Sequence, residues 1–480
     1  MSPSVEALNE AKYQALMDGL ECCIINKSKL ERTFRIDSEF YSKDYLLADK
    51  SIRSLPHKSL VDYVTVSDGN HAGISDKFID EGVPYYRGQD SGAFFIENSN
   101  PICVDLDTFN MPIMHRSHLK KNDVLLSIVG TIGAVSLAYS NRNATCSCKL
   151  AILRPKKADD AELLAVYLNS KYGQLQIARH TRGAVQKGLI LADMDQLVVP
   201  NFGDDFKKAI RLLVNTAFDH ASAANDAIKK AQDILSNNMI VGSIESNNNP
   251  VSVKKLSESF YKTGRLDADY YQPKYDEYYR LVCSYPKGYS LVKDAFIQVY
   301  DKCDRTNSCY PYVEIGDVNL NCGNAFFNYI DTEQLPDNAK IMTKKGDIVV
   351  STVRPNRGAV AILDTDGLLV SGAFTVLRQK SNYKKETLQV LLRTDMYRDW
   401  LLRYNVGTSY PVIKDEDVLN MPIPLFDQAI QDRVESNVQE SFALRSKSKE
   451  LLEFAKQAVE MAIEQGEAVA MDWLKAKGDR

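Results

Sequence analysis

Two stretches of the chain share one pattern of polar and apolar positions. Residues 120–139 are KKNDVLLSIVGTIGAVSLAY, and residues 344–363 are KKGDIVVSTVRPNRGAVAIL. In each, two lysines and an aspartate precede an apolar run, a loop follows, and Gly-Ala-Val opens a second apolar run. Short apolar runs rich in β-branched residues and bounded by turn residues are typical of strands. Each stretch therefore predicts two strands joined by a loop, and the loop tips differ between the copies.

The two stretches are part of a longer internal repeat. The segment RIDSEFYSKDY from Arg35 corresponds to RLDADYYQPKY from Arg265. Farther along the chain, Asp123 corresponds to Asp347 at a slightly smaller offset. A small drift in the offset is what loop insertions produce in two copies of one fold. The sequence therefore predicts the same domain twice.

Each copy continues with a helical pattern and a short final strand. Residues 160–180 and 384–404 carry apolar residues at helical spacing, and each segment is followed by a glycine, Gly183 or Gly407. The runs LVVP and MPIP come next and predict a closing strand that ends at proline. Each copy is thus predicted to be an α/β domain of mixed α+β type, about 165 residues long.

A long helix is predicted behind each copy. In the first, apolar residues alternate in steps of four and three, as in the seam of a coiled coil. These residues are Ile210, Val214, Ala217, Ala221, Ala224, Ile228, Ala231 and Leu235. The second stripe is less regular and consists of Ile430, Val434, Leu444, Leu451, Ala455, Val459 and Ala462. A helix packed on its own domain gives a similar pattern, but one long helix behind each copy favours pairing between the two.

The composition is that of a globular protein. Of 480 residues, 44% are hydrophobic and 25% charged, and no apolar run approaches the roughly 20 residues that span a bilayer. The N-terminus lacks the pattern of a signal peptide, so we expect a cytoplasmic protein. The nine cysteines show no zinc-knuckle spacing, and we expect free thiols.

The charge is distributed unevenly along the chain. The net charge is -4, yet residues 115–188 contain twelve Lys or Arg against four acids, and residues 340–414 contain thirteen against six. Two basic segments at matching places in a repeat favour a polyanionic partner that is bound twice. The alternative is that both segments are solvated surface.

Familiar catalytic motifs are absent from the sequence. It contains no GxxxxGK phosphate loop, no GxGxxG, no GxSxG and no Asn-Pro-Pro-Tyr or Asp-Pro-Pro-Tyr motif. The closest pair of histidines, His115 and His118, is expected to lie at the surface. We therefore predict a protein that binds rather than one that catalyses a reaction.

The duplicated order resembles the specificity subunit of type I restriction-modification systems. The resemblance lies in GDIVVSTVRPNRGAVAIL and its first-copy partner, in the helix ends at 169–183 and 394–407, and in the VVP and PIP closures before each long helix. It implies two tandem target recognition domains joined by two long antiparallel coiled-coil helices. It also implies a DNA-recognition subunit that is not an enzyme, in which each domain reads one half of a bipartite site and the helices set the spacing.

The resemblance implies partners as well. They are double-stranded DNA, two DNA methyltransferase subunits and, in a full complex, ATP-dependent restriction subunits, with no membrane. S-adenosylmethionine would be bound by the methyltransferases, and this chain itself would hold no cofactor and no metal.

The domain boundaries follow from the repeat and the resemblance. We predict an N-terminal helical extension (1–34), target recognition domain 1 (35–203), spacer helix 1 (204–240), a linker (241–262), target recognition domain 2 (263–425), and spacer helix 2 with a tail (426–480).

Candidate DNA-binding residues are polar or basic side chains on loops beside predicted strands and helices. Solvated surface is the alternative for each. The candidates are Arg87, Gln89, Lys120, Lys121, Arg182, Gln186, Lys187, Lys344, Lys345, Arg354, Asn356, Arg357, Ser409, Tyr410 and Lys414.

Other notable side chains are predicted to be structural. We expect the aromatic residues Tyr85, Tyr86, Phe94 and Phe95 to pack in the strand-rich region rather than stack on bases. We expect Asp37 and Asp267, in the two repeat openings, to form ion pairs or helix caps.

Two other functions remain open on the sequence alone. One is a two-lobed protein-interaction adaptor in a defence complex, whose basic segments meet acidic protein surfaces. The other is an enzyme whose active site has no familiar motif. Binding of duplex DNA with a steep salt dependence would separate the DNA-specificity subunit from both of these alternatives.

Overall fold

The computed structural model describes residues 27, 30, 35–79, 81–98, 101–183, 187–239 and 251–478. The expected N-terminal extension therefore lies outside the described residues except at positions 27 and 30, as do residues 241–250 of the expected linker. The chain divides into two compact units, residues 1–218 with 448–480 and residues 219–447. We call the sheet-containing parts of these units the first lobe (35–200) and the second lobe (265–424). The predicted mixed fold in two tandem lobes is confirmed.

The described residues of the first lobe form ten strands, arranged in two four-stranded sheets and one separate pair. The strands are β1 (His57–Ser59), β2 (Val64–Asp68), β3 (Phe78–Ile79), β4 (Val83–Tyr86), β5 (Ile102–Val104), β6 (Val124–Ser127), β7 (Val135–Leu137), β8 (Thr145–Cys146), β9 (Leu150–Pro155) and β10 (Val198–Pro200). The sheet orders are β2-β9-β6-β7 and β3-β5-β4-β8. β1 and β10 pair antiparallel, so the first and last strands of the lobe lie side by side.

The helices of the first lobe lie before, between and after these strands. They are α1 (Lys43–Arg53), α2 (Leu60–Tyr63), α3 (Leu106–Phe109), α4 (Ala161–Asn169) and α5 (Lys171–His180), and the long α6 (Asp204–Met239) follows the lobe.

The segment predicted as one helix after the strands is two helices in each copy. Ser170 is extended (φ -73°, ψ 163°), which ends α4, and its side chain accepts the N–H of Gly173 to cap α5. Thr394 is extended in the same way in the second copy (φ -67°, ψ 151°). The apolar pattern continues across both breaks, so periodicity alone could not locate them.

The second lobe repeats most of the topology of the first. Its strands are β11 (Tyr289–Leu291), β12 (Phe296–Gln298), β13 (Cys309–Val313), β14 (Asn328–Asp331), β15 (Ala339–Met342), β16 (Ile348–Ser351), β17 (Val360–Ile362), β18 (Leu369–Ser371), β19 (Phe374–Gln379) and β20 (Pro422–Pro424). The sheet orders are β12-β19-β16-β17 and β14-β13-β18-β15, and β11 pairs with β20. The second sheet differs in one outer strand, because β3 pairs with β5 in the first lobe whereas β15 pairs with β18 in the second. The short helix α7 (Phe260–Thr263) precedes the lobe, and the helices of the lobe are α8 (Pro273–Cys283), α9 (Val292–Ala295), α10 (Lys385–Leu392), α11 (Asp395–Leu402) and α12 (Asp415–Leu419).

The repeat extends to single backbone conformations. Leu125 faces Ile152 across β6 and β9, and the corresponding residues of the second copy, Val349 and Val376, face each other across β16 and β19. The turn before each of these strands needs a left-handed residue. Asn122 (φ 72°) fills that position in the first copy and Gly346 (φ 91°) in the second, and these two residue types tolerate this conformation best.

The two repeat openings form matching ion pairs. A guanidinium nitrogen of Arg35 lies 2.6 Å from a carboxylate oxygen of Asp37, and Arg265 and Asp267 are separated by the same distance. The ion pairs lower the pKa of both carboxyl groups, chiefly through the side-chain hydrogen bond from the arginine. The predicted structural role of Asp37 and Asp267 is confirmed.

The long helices pair with each other in antiparallel order. They are α6 and α13 (Gln428–Gln465), and the shorter α14 (Glu467–Gly478) follows. In the first unit the Ser448 hydroxyl donates to the Ala217 carbonyl at 2.6 Å, and the Gly203 N–H donates to the Glu467 carboxylate at 3.0 Å. All eight residues of the predicted α6 stripe are buried. On α13 the stripe is only partly as predicted, because Ile430, Leu444 and Leu451 are half-buried.

The aromatic residues near β4 pack inside the first lobe. Tyr85, Tyr86 and Phe95 are buried, and Phe94 is half-buried against Phe95 with ring centroids 5.1 Å apart. The prediction that these side chains pack rather than present a stacking surface is confirmed.

Candidate nucleic-acid interface

In the second lobe, two loops that are far apart in sequence meet at one end of β16. The loop at 352–358 follows β16, and the loop at 406–414 follows α11. Val353 and Val412 form an antiparallel bridge, and the Ile413 N–H donates to the Thr352 carbonyl at 2.9 Å. These backbone bonds hold the two loops as one surface, which we call the second loop surface. Six of the predicted DNA-binding residues lie on it: Arg354, Asn356, Arg357, Ser409, Tyr410 and Lys414.

Arg354 has the least favourable backbone conformation on this surface. It is left-handed (φ 51°, ψ 53°), whereas the corresponding residue of the first copy is Gly130 (φ 84°). A non-glycine residue in this region costs of order 1 kcal/mol and is common where function fixes a side chain. The Arg354 N–H donates to the Pro411 carbonyl at 2.7 Å, and its guanidinium lies 5.5 Å from the centre of the exposed Tyr410 ring. The strain therefore places a cation and an aromatic face together at the loop tip.

The other residues of this surface offer hydrogen-bonding groups. Asn356 is half-buried, and its Oδ1 is buried without a hydrogen-bond partner among the described residues. Arg357 and Ser409 are exposed. The Lys414 backbone N–H donates to Asp417 at 2.8 Å at the start of α12, so its exposed side chain extends from a fixed backbone. The surface thus combines cations, an amide, a hydroxyl and an aromatic ring.

The first lobe brings the corresponding loops together. Val129 and Gly188 form the antiparallel bridge, and the Leu189 N–H donates to the Ile128 carbonyl at 3.0 Å. The loop at 87–89 joins them, because Thr131 donates to the Gly88 carbonyl at 2.6 Å. We call residues 87–89, 128–133, 182–183 and 187–189 the first loop surface. Gln186 lies outside the described residues.

The predicted cations of the first loop surface are paired with acids. Arg182 forms an ion pair with Asp193, whose side chain is 7% exposed, and Lys187 lies 2.7 Å from Glu39. The guanidinium of Arg87 lies 3.2 Å from Asp90. Gln89 is exposed. The two loop surfaces therefore differ in charge pairing, because these three cations each face an acid whereas the tip cation of the second surface faces an aromatic ring.

The predicted lysine turns lie elsewhere. Lys120 and Lys121 precede β6, and Lys344 and Lys345 precede β16, so both pairs lie at the opposite end of these strands from the loop tips. All four are exposed. Lys121 lies 5.0 Å from the centre of the Tyr139 ring. The structure does not bring the lysine turns together with either loop surface.

Sequence reasoning missed three exposed nitrogen-bearing side chains of the first lobe. Lys149 lies beside the first loop surface, since the Ile128 N–H donates to the Lys149 carbonyl at 2.9 Å. Arg116 and His71 both contact Asp68 at the end of β2. Only the local positive charge of residues 115–188 pointed towards Lys149 and Arg116, and nothing in the sequence singled out His71.

Among the described residues, no helix is both long enough and apolar enough to cross a membrane. Within the same residues, no group of three or more His, Cys, Asp or Glu side chains is placed to hold a metal ion.

Part of the second unit matches a known protein family. Residues 282–436 match the family described as the type I restriction modification DNA specificity domain. The second lobe resembles a DNA specificity domain. The matched residues contain the whole second loop surface, and the match confirms the resemblance found in the sequence. No curated protein matches the chain.

Solved structures of specificity subunits also align with the chain. The S subunit of a type I restriction-modification system from M. genitalium has 13% identity, with 85% of this chain and 94% of that chain covered and a TM-score of 0.37. The HsdS subunit from Thermoanaerobacter tengcongensis has 12% identity, with 85% and 96% covered and a TM-score of 0.27.

Proposed function

We propose that this chain is the DNA sequence-specificity subunit of a type I restriction-modification or modification-only complex. The observation that carries the proposal is the match of residues 282–436 to a DNA specificity domain. The second loop surface supports it, because arginine, asparagine and an aromatic ring are the side chains that contact base edges and phosphates.

Each lobe would read one half of a bipartite DNA site. The sheet that carries the loop tip has the same strand order in both lobes, whereas the loop surfaces differ in residue type, with Arg354 in one at the position of Gly130 in the other. A shared scaffold with different loops suits two half-sites of different sequence. The long helices α6 and α13 would set the accepted distance between the half-sites, because a fixed separation of two modules accepts one spacing along the duplex. Joining two modules also raises affinity through effective concentration.

The second lobe would bind DNA through arginine contacts to guanine or phosphate and through an asparagine contact to adenine. Arg354 and Arg357 suit guanine O6 and N7 or a phosphate, because a guanidinium donates two parallel hydrogen bonds. Asn356 suits adenine, to which an amide both donates and accepts. A contact to one base edge is worth about 1–3 kcal/mol of discrimination.

Catalysis would belong to partner subunits. Two DNA methyltransferase subunits would bind S-adenosylmethionine and modify the site, and ATP-dependent restriction subunits would join in a nuclease complex. This chain would supply the recognition of DNA and hold none of these cofactors. We place the complex in the cytoplasm, where it meets DNA.

The proposal is tested by DNA binding of the full chain with its methyltransferase. We expect the logarithm of affinity to fall steeply with the logarithm of salt concentration, as phosphate contacts require. Replacing Arg354 and Arg357 by alanine should relax the sequence preference in one half-site and leave the other unchanged. Sequencing of methylated bases in the host with and without the gene identifies the site. The proposal would be contradicted, and the protein-interaction adaptor favoured, by two results together. The complex would bind all duplexes equally, and the methylation of the host would be the same with and without the gene.

A further inference from the structure

A buried arginine in the second lobe forms no ion pair with any residue that the structure describes. Arg393, between α10 and α11, is 5% exposed, and its Nη2 donates to the Leu320 carbonyl at 2.5 Å. Its Nε and Nη1 are buried and make no hydrogen bond with any described residue. Most of the N–H groups of this guanidinium belong to those two nitrogens. A buried cation with unused donors is costly unless an anion completes the site.

Two further arginines lie close to Arg393. Arg398 forms an ion pair with Asp395 at 2.6 Å, and Arg445 donates through Nη2 to Asn225. The Nε of Arg398 and the Nε of Arg445 are also buried without a hydrogen-bond partner in the described part of the chain. Burial, and then the nearby charge of Arg445 and Arg398, lowers the pKa of Arg393 to about 10. The group still carries its proton at neutral pH, so three positive charges share the site with one exposed carboxylate.

In the first lobe, the corresponding junction between two helices, α4 and α5, contains neutral side chains. Asn169 and Gln174 occupy the positions that Arg393 and Arg398 have in the second copy. The side-chain amide nitrogen of Asn169 donates to two backbone carbonyls at 3.2 and 2.9 Å, and that of Gln174 to two at 2.8 and 2.7 Å. The same junction is therefore closed in the first lobe by neutral side chains that have partners. Packing of the fold does not account for the guanidinium groups in the second lobe.

The backbone beside Arg393 is shaped to admit it. Gly323 is left-handed (φ +74°), and a Cβ added there would lie 2.7 Å from Arg393 Nη1 and 2.2 Å from Gln389 Nε2. Gly358 adjoins Arg398, since a Cβ there would lie 2.8 Å from Arg398 Cδ. Two glycines thus leave room for the arginine side chains where another residue would displace them.

We propose that Arg393, Arg398 and Arg445 form a binding site for a phosphate-type oxyanion. Arg393 forms the base of the site, and Arg398, with a side chain 31% exposed, together with the half-buried Arg445 forms the side open to solvent. Guanidinium groups bind tetrahedral oxyanions through paired, charge-assisted hydrogen bonds. The ligand is either free phosphate or a phosphodiester of DNA, and the second source rests on the proposed function. Gly358 places the site directly behind the second loop surface.

Thermal unfolding of the full chain in sodium phosphate and in sodium chloride of equal ionic strength tests the site. Phosphate should raise Tm of the wild type by about 3 °C near saturation. The double variant Arg393→Asn with Arg398→Gln, which installs the first-lobe residues, should lose this rise and have an equal or higher Tm in chloride. The single variant Arg398→Gln should weaken the response. Lys380→Gln removes an exposed charge of the same lobe and should keep the full response.

DNA binding of the same proteins identifies the source of the phosphate. If the site holds a DNA phosphodiester, the double variant should bind all duplexes about tenfold more weakly and show a salt slope smaller by about 1 to 2. If free phosphate is the ligand, DNA binding stays unchanged while the phosphate response of Tm is lost. A chain that binds no DNA but responds to phosphate refutes the proposed function and keeps the site. Equal Tm of the wild type in phosphate and chloride, with equal DNA affinity of wild type and variants, overturns the site.

Discussion

Asp123 receives two hydrogen bonds from Arg154, each 2.7 Å long, although Asp123 is completely buried. Asp347 and Arg378 form the same pair at the matching place in the second copy, again with two bonds of 2.7 Å. The hydrogen bond to the aspartate is the main reason that the pKa of each arginine is raised. The aspartate immediately precedes the strand, β6 or β16, that carries each loop tip, so the pair fixes the start of the strand from which the tip extends.

Arg378→Met should destabilise the second lobe strongly. The substitution keeps most of the side-chain volume but leaves the buried Asp347 carboxylate without its partner, which typically costs about 3–5 kcal/mol. Urea unfolding of the full chain measures the loss. The matched control is Arg433→Met, because Arg433 is exposed and pairs with no acid in the described residues. Equal unfolding midpoints of the two variants would show that the ion pair has no structural role.

Arg354→Gly should separate stability from DNA binding. Glycine is the first-lobe residue at this position and adopts the left-handed conformation without strain, so we expect stability to be unchanged or higher by about 0.5–1 kcal/mol. Loss of the guanidinium should weaken DNA binding by roughly tenfold. Fluorescence anisotropy and urea unfolding of one preparation give both values. The control is Lys302→Gln, which removes an exposed charge without changing a loop tip. If this control bound DNA as weakly as Arg354→Gly does, a specific contact by Arg354 would be contradicted.

Gly346 should accept asparagine but not valine. Asn122 occupies the same left-handed turn position in the first copy, so Gly346→Asn should change the free energy of unfolding by under about 1 kcal/mol. Gly346→Val places a β-branched residue at φ 91° and should cost about 1–3 kcal/mol. Thermal unfolding of both variants decides the matter. A valine variant as stable as the asparagine variant would mean that the turn rearranges.

His180 should make the first lobe sensitive to acid. Burial, and then the charges of nearby arginines such as Arg179 and Arg35, lowers the pKa of His180 to about 3. In the unfolded chain His180 therefore binds a proton near pH 6.5, whereas in the folded chain it stays neutral until about pH 3. The free energy of unfolding accordingly falls as pH decreases from about 6.5 towards 3. Between pH 6.5 and 4.5 the wild type should lose about 2 kcal/mol more than His180→Gln does. His57→Gln, at an exposed position, should follow the wild type, and parallel pH profiles for all three proteins would exclude this role.

The sequence predicted the features that repeat. Two copies of KK-x-D before an apolar run located β6 and β16, and the alternating steps of α6 located its buried stripe. These predictions succeeded because each rested on a local pattern, a turn or a helical period. The breaks at Ser170 and Thr394 were missed because the apolar face continues through them.

The candidate site could be predicted only in part. The loops at 352–358 and 406–414 were both chosen from sequence, but the bridge between Val353 and Val412 that joins them is a tertiary contact. Lys344 and Lys345 were chosen as candidate DNA-binding residues because they are adjacent and basic. They precede β16, however, and therefore lie at the end of the strand opposite the loop tip. Sequence could not predict that Nε and Nη1 of Arg393 make no hydrogen bond in the described part of the chain, because this depends on which groups surround a buried side chain.

The pairing of β1 with β10, and of β11 with β20, brings the two ends of each lobe to one point. A segment whose entry and exit are neighbours can be replaced as a block without moving the helix that follows it. If the proposed function holds, exchange of one lobe as a block would alter one half of the recognised site and leave the other half unchanged.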